Sequence, residues 1–204
     1  MSKTKKPPVE KPPPTIGYVI LAALFHLERT TGYELSQLMG PPRNFMWEAK
    51  HSQVYPTLDL LTQLKYVKFS SVRQSKKPDK KVYRITAKGI AALRAWAKRG
   101  PTHVPVKDEF SMRMAVLCTL PPEEAATVLR WQIEQVQQEI DTIEAHIVDF
   151  RRRYRLPEPA PPTHKEYGLY CAICHSRDVK ELAVKRYRRI LEEMKAAPST
   201  PRSA

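Results

Sequence analysis

Two short stretches of this 204-residue chain carry side chains whose types and spacing could do chemistry. The first, CAICH at 171–175, sets two thiols three residues apart with an imidazole beside the second. That spacing serves covalent haem attachment, half of a zinc site, or reversible thiol oxidation. Haem attachment takes place outside the cytoplasm, and the start MSKTKKPPVEKPPP is basic and proline-rich without the apolar run of an export signal. Haem is therefore set aside. Zinc would need Cys171, Cys174 and either His164 or His175, with no second CxxC to complete four ligands. Buried cysteines are also ordinary small apolar residues. The expectation is no metal and no cofactor. The alternative is a metal- or thiol-redox-responsive sensor built on Cys171, Cys174 and His175.

The second stretch, HSQVYPTLDLLTQL at 51–64, offers hydroxyl, amide and phenol groups rather than nucleophiles. Val54, Leu58, Leu61 and Leu64 recur at four, three and three residues, which makes one buried helical stripe. At 100° per residue, Ser52, Tyr55, Pro56, Asp59 and Gln63 fall on the opposite face. Pro56 is acceptable in a helix if it lies in or near the first turn. A helix with its back in a core and a polar front suits hydrogen bonding to base edges and phosphates. Ser52, Gln53, Tyr55 and Thr57 are the candidates for that front. No Gly-rich phosphate loop, GxSxG elbow or HExxH appears, and six glycines leave little room for a nucleotide cradle, so no enzyme is expected.

These residues need elements to position them. Ile16, Ile20, Ala23, Leu24 and Leu27 share a helical face and predict a first helix over about 15–28. Thr31 and Glu34 have the spacing of a capping box, which starts a second short helix that Gly40-Pro41-Pro42 ends. After the 51–64 helix the period changes. YVKFSSVR (66–73) and KVYRIT (81–86) predict a β-hairpin, with QSKKPDK between them and Lys76, Lys77, Lys80 and Lys81 at its tip. Thr86 caps a fourth helix running through Ile90, Leu93 and Trp96. Three helices, a basic hairpin and a closing helix spell a winged helix-turn-helix over 15–104, preceded by a disordered arm over 1–14.

Charge is divided unequally. The net is +14, with 42% hydrophobic and 27% charged residues. Residues 1–106 hold 19 Lys/Arg against 6 Asp/Glu, and residues 107–204 hold 16 against 15. A basic half beside a neutral half suggests a polyanion-binding module joined to something else. No run of 18 apolar residues occurs and no long basic amphipathic helix lies in the basic half, so no membrane partner is expected. Three cysteines are too few for a disulfide scaffold, which fits a reducing compartment.

In order and spacing, TGYELSQLM, HSQVYPTLDLL and KVYRITAKGIAALRAW resemble the successive signatures of the PadR family of bacterial transcriptional regulators, over about residues 15–100. The resemblance implies a homodimeric repressor on double-stranded operator DNA, cytoplasmic and nucleoid-associated when bound. It implies phosphate contacts from the segment of Thr31 and Tyr33, base reading by the helix from Ser52, and a wing of Lys76, Lys77, Lys80 and Lys81 on the backbone. Lys50 and His51 border the reading helix and are further phosphate candidates. Asp59-Leu60 departs from the basic residues that many relatives carry there. Asp59 then either accepts from a cytosine amine or leaves docking to the first turn.

The second half reads as helical, over 105–195, with a flexible tail at 196–204. Leu129, Ile133, Val136, Ile140, Ile143, Ile147, Phe150 and Tyr154 form an unbroken a/d heptad, introduced by Pro121-Pro122. LPEPAPPT (156–163) breaks the helix, and a last one covers about 165–195. The seam, Leu129 to Phe150, fits a two-fold dimer interface, an intrachain hairpin with the last helix, or both. A dimer would place two reading helices about 34 Å apart on a palindromic site. Trp96, Trp131, Met112 and Met114 could line an aromatic-ligand cavity between the halves, although core packing is their commoner use. Phenolic acids are inducers in parts of the PadR family, which implies a small aromatic-acid effector held by Arg113 or His103.

Overall fold

A first helix, α1 (Thr15–Leu27), forms around Ile20, Leu21 and Leu24, all fully buried. The computed structural model describes residues 12–40, 50–73, 80–100 and 108–196. The chain divides after residue 102 into two compact units. The first is mostly helical with one small sheet, and the second is all helical among its described residues. Among the described residues no helix is long and apolar enough to cross a membrane.

In the first unit, a two-residue strand β1 (Thr30–Thr31) leads into α2 (Gly32–Leu38). The expected capping box is present. Thr31 Oγ1 accepts from the Glu34 amide at 3.2 Å, and the Thr31 amide donates to Glu34 Oε2 at 2.8 Å. Thr30 Oγ1 donates to the same carboxylate oxygen at 3.0 Å, and Lys80 Nζ lies 3.5 Å from Glu34 Oε1. The Thr31 hydrogen bonds, helped by Thr30 and Lys80, hold the Glu34 carboxyl down at about 2. The helix with the leucine stripe is α3 (His51–Gln63). Pro56 is its sixth residue, just past the first turn. Having no N–H, Pro56 cannot donate to the carbonyl of Ser52, which is left as an acceptor at the front of the helix.

α3 ends without a glycine. The amide of Tyr66 donates to the Leu61 carbonyl at 2.9 Å and that of Lys65 to Thr62 at 3.0 Å. This is a Schellman turn in which Lys65 takes the left-handed conformation at φ 59°. Then come β2 (Val67–Val72), β3 (Lys80–Ile85) and α4 (Ala87–Ala97). The sheet is antiparallel in the order β1-β3-β2, with Lys68 opposite Arg84, Phe69 opposite Tyr83 and Thr31 opposite Val82. Sequence reading foresaw the hairpin but not β1, because a two-residue strand exists only through its pairing with β3. Thr86 caps α4, accepting from the Gly89 amide at 3.1 Å and donating to the Lys65 carbonyl at 2.7 Å. The core gathers Leu21, Leu24, Leu35, Val54, Leu58, Leu61, Val67 and Tyr83.

The second unit opens with α5 (Glu109–Val116), capped by Asp108 Oδ1, which accepts from the Ser111 amide at 3.1 Å. Sequence reading gave this stretch no element of its own, because eight residues are too few to establish a period. A 3-10 turn leads to α6 (Pro122–Tyr154), and the unit closes with α7 (Tyr167–Ala196). Arg155, at φ 51°, ends α6 with the same glycine-free turn.

Of the readings open for the seam, the intrachain hairpin is the one present within a single chain. Leu129, Val136, Ile140, Ile143, Ile147 and Phe150 are all buried within one chain, and Ile133 is half-buried. Leu129, Ile133, Val136 and Ile140 pack with Val184, Tyr187 and Leu191 of α7, and Phe110 of α5 lies edge-on to Tyr187 at 5.1 Å. A heptad records that a helix has a partner helix and does not record which chain supplies it. Lys180 pairs with Glu139 and Arg188 donates to Gln137 at 3.3 Å, so the flanks of the hairpin are tied as well.

Two substitutions test this packing. A Cβ on Gly89 would sit 2.2 Å from the Tyr66 carbonyl oxygen, which is backbone and cannot swing away. Gly89→Ala should therefore lower unfolding free energy by about 1–3 kcal/mol in urea titration, despite alanine's better helix propensity. Gly100→Ala, which meets nothing within 4 Å, should change it by less than about 0.5 kcal/mol. The second test is acid. The folded value of Glu34, about 2, lies below its ordinary 4.5, so its charge stabilises above about pH 4.5 and ceases to as pH falls toward 2. Glu34→Gln keeps an acceptor for the Thr31 amide and removes only the charge. Its stability deficit should be present at pH 7 and vanish by about pH 2.

Candidate nucleic-acid interface

The buried stripe of Val54, Leu58 and Leu61 turns the other side of α3 to solvent. Ser52, Gln53, Tyr55, Pro56, Asp59 and Gln63 are all exposed there. Gln53 Oε1 accepts from the Lys50 amide at 3.0 Å, fixing the helix start and leaving the side-chain NH2 as the outward donor. Tyr55 is 39% exposed because part of its ring lies over Gly32 at the start of α2. A Cβ there would come within 2.7 Å of Tyr55 Cε1, so glycine lets α2 and α3 meet closely. Behind this front, burial pushes the Tyr83 phenol above its ordinary value, with Asp59 and then Tyr55 adding to it. Tyr83 thus stays neutral under the exposed face.

Two predicted contact residues are not on the surface. Thr57 is only 7% exposed and donates through Oγ1 to the Gln53 carbonyl at 2.6 Å. It stands three residues from Val54 and four from Leu61, which places it on the core side. Thr31 is buried as well, its hydroxyl committed to the capping box. Both hold the helices in place rather than meet a ligand. Tyr33, by contrast, is 62% exposed at the first turn of α2. Lys50 is exposed, and the side chain of His51 lies outside the described residues.

The wing divides its cations. Lys80, expected on phosphate, is engaged by Glu34, so its charge is partly spent inside the protein. Lys81 stands over the ring of Phe69, 4.6 Å from the centroid, and remains exposed. Lys76 and Lys77 lie outside the described residues. Sequence reading missed Lys68 and Arg84. They are directly opposed across β2 and β3, both are exposed, and among the described residues neither has an acidic partner. Like charges facing each other cost stability in a sheet, so the pair favours a nearby anion. The alternation of the strands carried this signal, but the lysines of the tip drew the reading away from it.

The proposed effector residues are divided between the two units, Trp96 in the first and the others in the second. In the first unit, Trp96 stacks on Tyr18 with centroids 5.1 Å apart and planes 8° apart, and Arg99 donates to the Tyr18 hydroxyl at 3.1 Å. In the second unit, Met112 and Trp131 are exposed, Arg113 is held by Glu109 at 2.6 Å, and Met114 packs into the core. His103 lies outside the described residues. A surface groove of about 410 Å³ opens between α6 and α7 beside Ile140, Val184, Lys185 and Arg188, and none of Met112, Arg113, Met114 and Trp131 lines it. Among the described residues, no three His, Cys, Asp or Glu side chains converge as a metal site. His164 Nδ1 accepts from the Glu166 amide at 3.1 Å.

Comparison with known proteins agrees with this geometry. Residues 20–95 match the transcriptional regulator PadR-like family. The negative transcriptional regulator PadR of Bacillus subtilis is 28% identical over 159 residues, which is 78% of this chain and 85% of that protein. The crystal structure of B. subtilis PadR in complex with operator DNA superposes with a TM-score of 0.77 at 24% identity, covering 89% of this chain and 99% of that one. The same protein in complex with p-coumaric acid gives 0.70 at 23% identity, with the same coverage.

Proposed function

We propose that this chain, whose residues 20–95 match the transcriptional regulator PadR-like family, is a homodimeric repressor of that family that binds a palindromic DNA operator and is released by a small aromatic acid. It is a regulator and not an enzyme. Repression is supported by the B. subtilis relative, a negative regulator, and DNA as partner by the operator complex of that relative. The effector class is supported by its p-coumaric acid complex. The observation that carries the reading is the exposed polar front of α3, held outward by a fully buried back.

On this reading Ser52 presents its hydroxyl and its freed carbonyl, Gln53 its amide donors and Tyr55 its phenol to base edges and adjoining phosphates. Tyr33, Lys50, His51, Lys76, Lys77 and Lys81 meet the backbone, and Lys68 with Arg84 extends the wing's grip. Thr31, Thr57 and Lys80 act indirectly, by fixing α2, α3 and the junction of wing and α2. The repressor works in the cytoplasm, on the nucleoid when bound. Pairing of two copies uses surface that α7 leaves uncovered, because the seam is consumed inside each chain. Trp131 and Leu182 each stand two residues, about 200° of helix, from core positions and therefore face away from the hairpin's interior. An acid that binds the DNA-incompetent state better depletes the competent one, and its effect is bounded by that difference in affinity.

Selection of bound sites from random duplexes, followed by anisotropy titration on the winner, tests the reading. Ser52→Ala should cost about 1 kcal/mol on the selected site and little on unrelated DNA. Lys68→Ala and Arg84→Ala should weaken both alike, each lowering the salt slope by about 1. Absence of any enriched sequence would refute operator reading by α3. For assembly, Leu182→Glu should convert a sedimenting dimer to monomer and weaken operator binding, with the unfolding midpoint of each chain nearly unchanged. A dimer that survives this change places the interface elsewhere.

A further inference from the structure

The CAICH stretch occupies the second turn of α7, in the second unit. Helical geometry sets the Cα atoms of Cys171 and Cys174 about 5 Å apart and the side chains about 60° apart around the axis. That separation falls within the Cα range of disulfides, roughly 4.4–6.8 Å. Cys171 is exposed and Cys174 is half-buried, so a small oxidant reaches the first and the second lies one turn behind it. Each sulfur has a phenol one turn upstream. Hydrogen bonding to Cys171 raises the Tyr167 phenol, and hydrogen bonding to Cys174 raises that of Tyr170, so both phenols keep their protons and are the donors. Arg177, one turn further along, is held mainly by Asp178 at 2.7 Å and also feels the charge of Cys174. With no third ligand converging among the described residues, two adjacent accessible thiols are left with the chemistry of thiols.

We propose that Cys171 and Cys174 form a reversible intrahelical disulfide, with a hydroperoxide as the oxidant. The Cys171 thiolate attacks the peroxide, an S–O bond forms, the O–O bond breaks, and the leaving hydroxide takes a proton to become water. The Cys174 thiolate then attacks the Cys171 sulfenic acid. The S–S bond forms, the S–O bond breaks, and a second water leaves. Two thiols and one hydrogen peroxide become one disulfide and two waters. Because Cβ atoms at this spacing start farther apart than the roughly 3.5–4.5 Å of a disulfide, closure must tighten the turn that holds them. That turn contains Ile173, buried in the second unit. It is also close to the end of α6, since Tyr170 feels the charges of Arg151 and Glu158, which pair with each other. Oxidation would therefore act on the point where α7 leaves its loop, and it requires no DNA.

The test uses the full chain carrying Cys118→Ser, so that only these two thiols remain. Treated with hydrogen peroxide, it should lose both free thiols and about 2 Da, with peptide mapping placing the link between Cys171 and Cys174 in one chain. A dithiol reductant should restore both. Adding Cys174→Ser should stop the reaction at Cys171, as a sulfenic acid trapped by a dimedone probe. Two thiols still countable after peroxide treatment that oxidises free cysteine would overturn the proposal. So would a disulfide found only between chains, or Cys171 that passes directly to sulfinic acid with Cys174 present.

Discussion

Burial of Val54, Leu58 and Leu61 is the constraint on which the rest of the first unit depends. Those three side chains share a core with Leu21 and Leu24 of α1, Leu35 of α2 and Tyr83 of β3, and the contact fixes the rotation of α3 about its axis. Burial of each is worth about 1.5–3 kcal/mol, whereas each hydrogen bond on the opposite face contributes about 1 kcal/mol net. The apolar side therefore decides which residues face solvent, and the polar front follows. Gly32 refines the result by letting α2 approach until Tyr55 covers it.

Much of this was legible before any coordinates, because local chemistry agrees with the tertiary structure. Thr31 with Glu34 has the spacing of a capping box and Thr86 stands where a cap is expected, and both caps are formed. The stripe in α3 and the change to period two at Val67 were equally plain. Individual side chains were harder. Thr57 and Thr31 are short hydroxyl residues next to exposed positions, and one-dimensional spacing cannot decide whether such a hydroxyl turns to solvent or bonds to backbone. Helix ends at Lys65 and Arg155 carry no glycine signal, since a basic residue takes the left-handed position in each. The first end was legible only from the strand that follows, and the second from the prolines.

The heptad of α6 marks a different limit. Periodicity reports a buried seam, and the energetic gain is the same whether α7 or a second chain covers it. The short break at 156–163 favours the intrachain answer, since a chain that turns back within a dozen residues brings its own helix alongside at high effective concentration. Once α7 is in place, the seam residues have little left to offer another molecule. Leu182, 68% exposed, and Trp131 do.

Charge in the first unit divides along similar lines. Lys80 is drawn to Glu34, Lys88 donates to the Leu64 carbonyl at 3.0 Å over the ring of Tyr66, and Arg99 is spent on Tyr18. These cations hold elements together, so the excess of basic residues overstates what is free to meet a polyanion. What remains at the front is uneven. α3 contributes neutral hydrogen-bonding groups and the carboxylate of Asp59, while the sheet contributes Lys68, Lys81 and Arg84. On the proposed function, an anionic duplex would be attracted mainly by the wing and discriminated mainly by the helix. Added salt screens the first and leaves the second largely intact. That proposal puts affinity and selectivity on separate elements joined by one core, and the Glu34 cluster ties α2 to β3 where they meet.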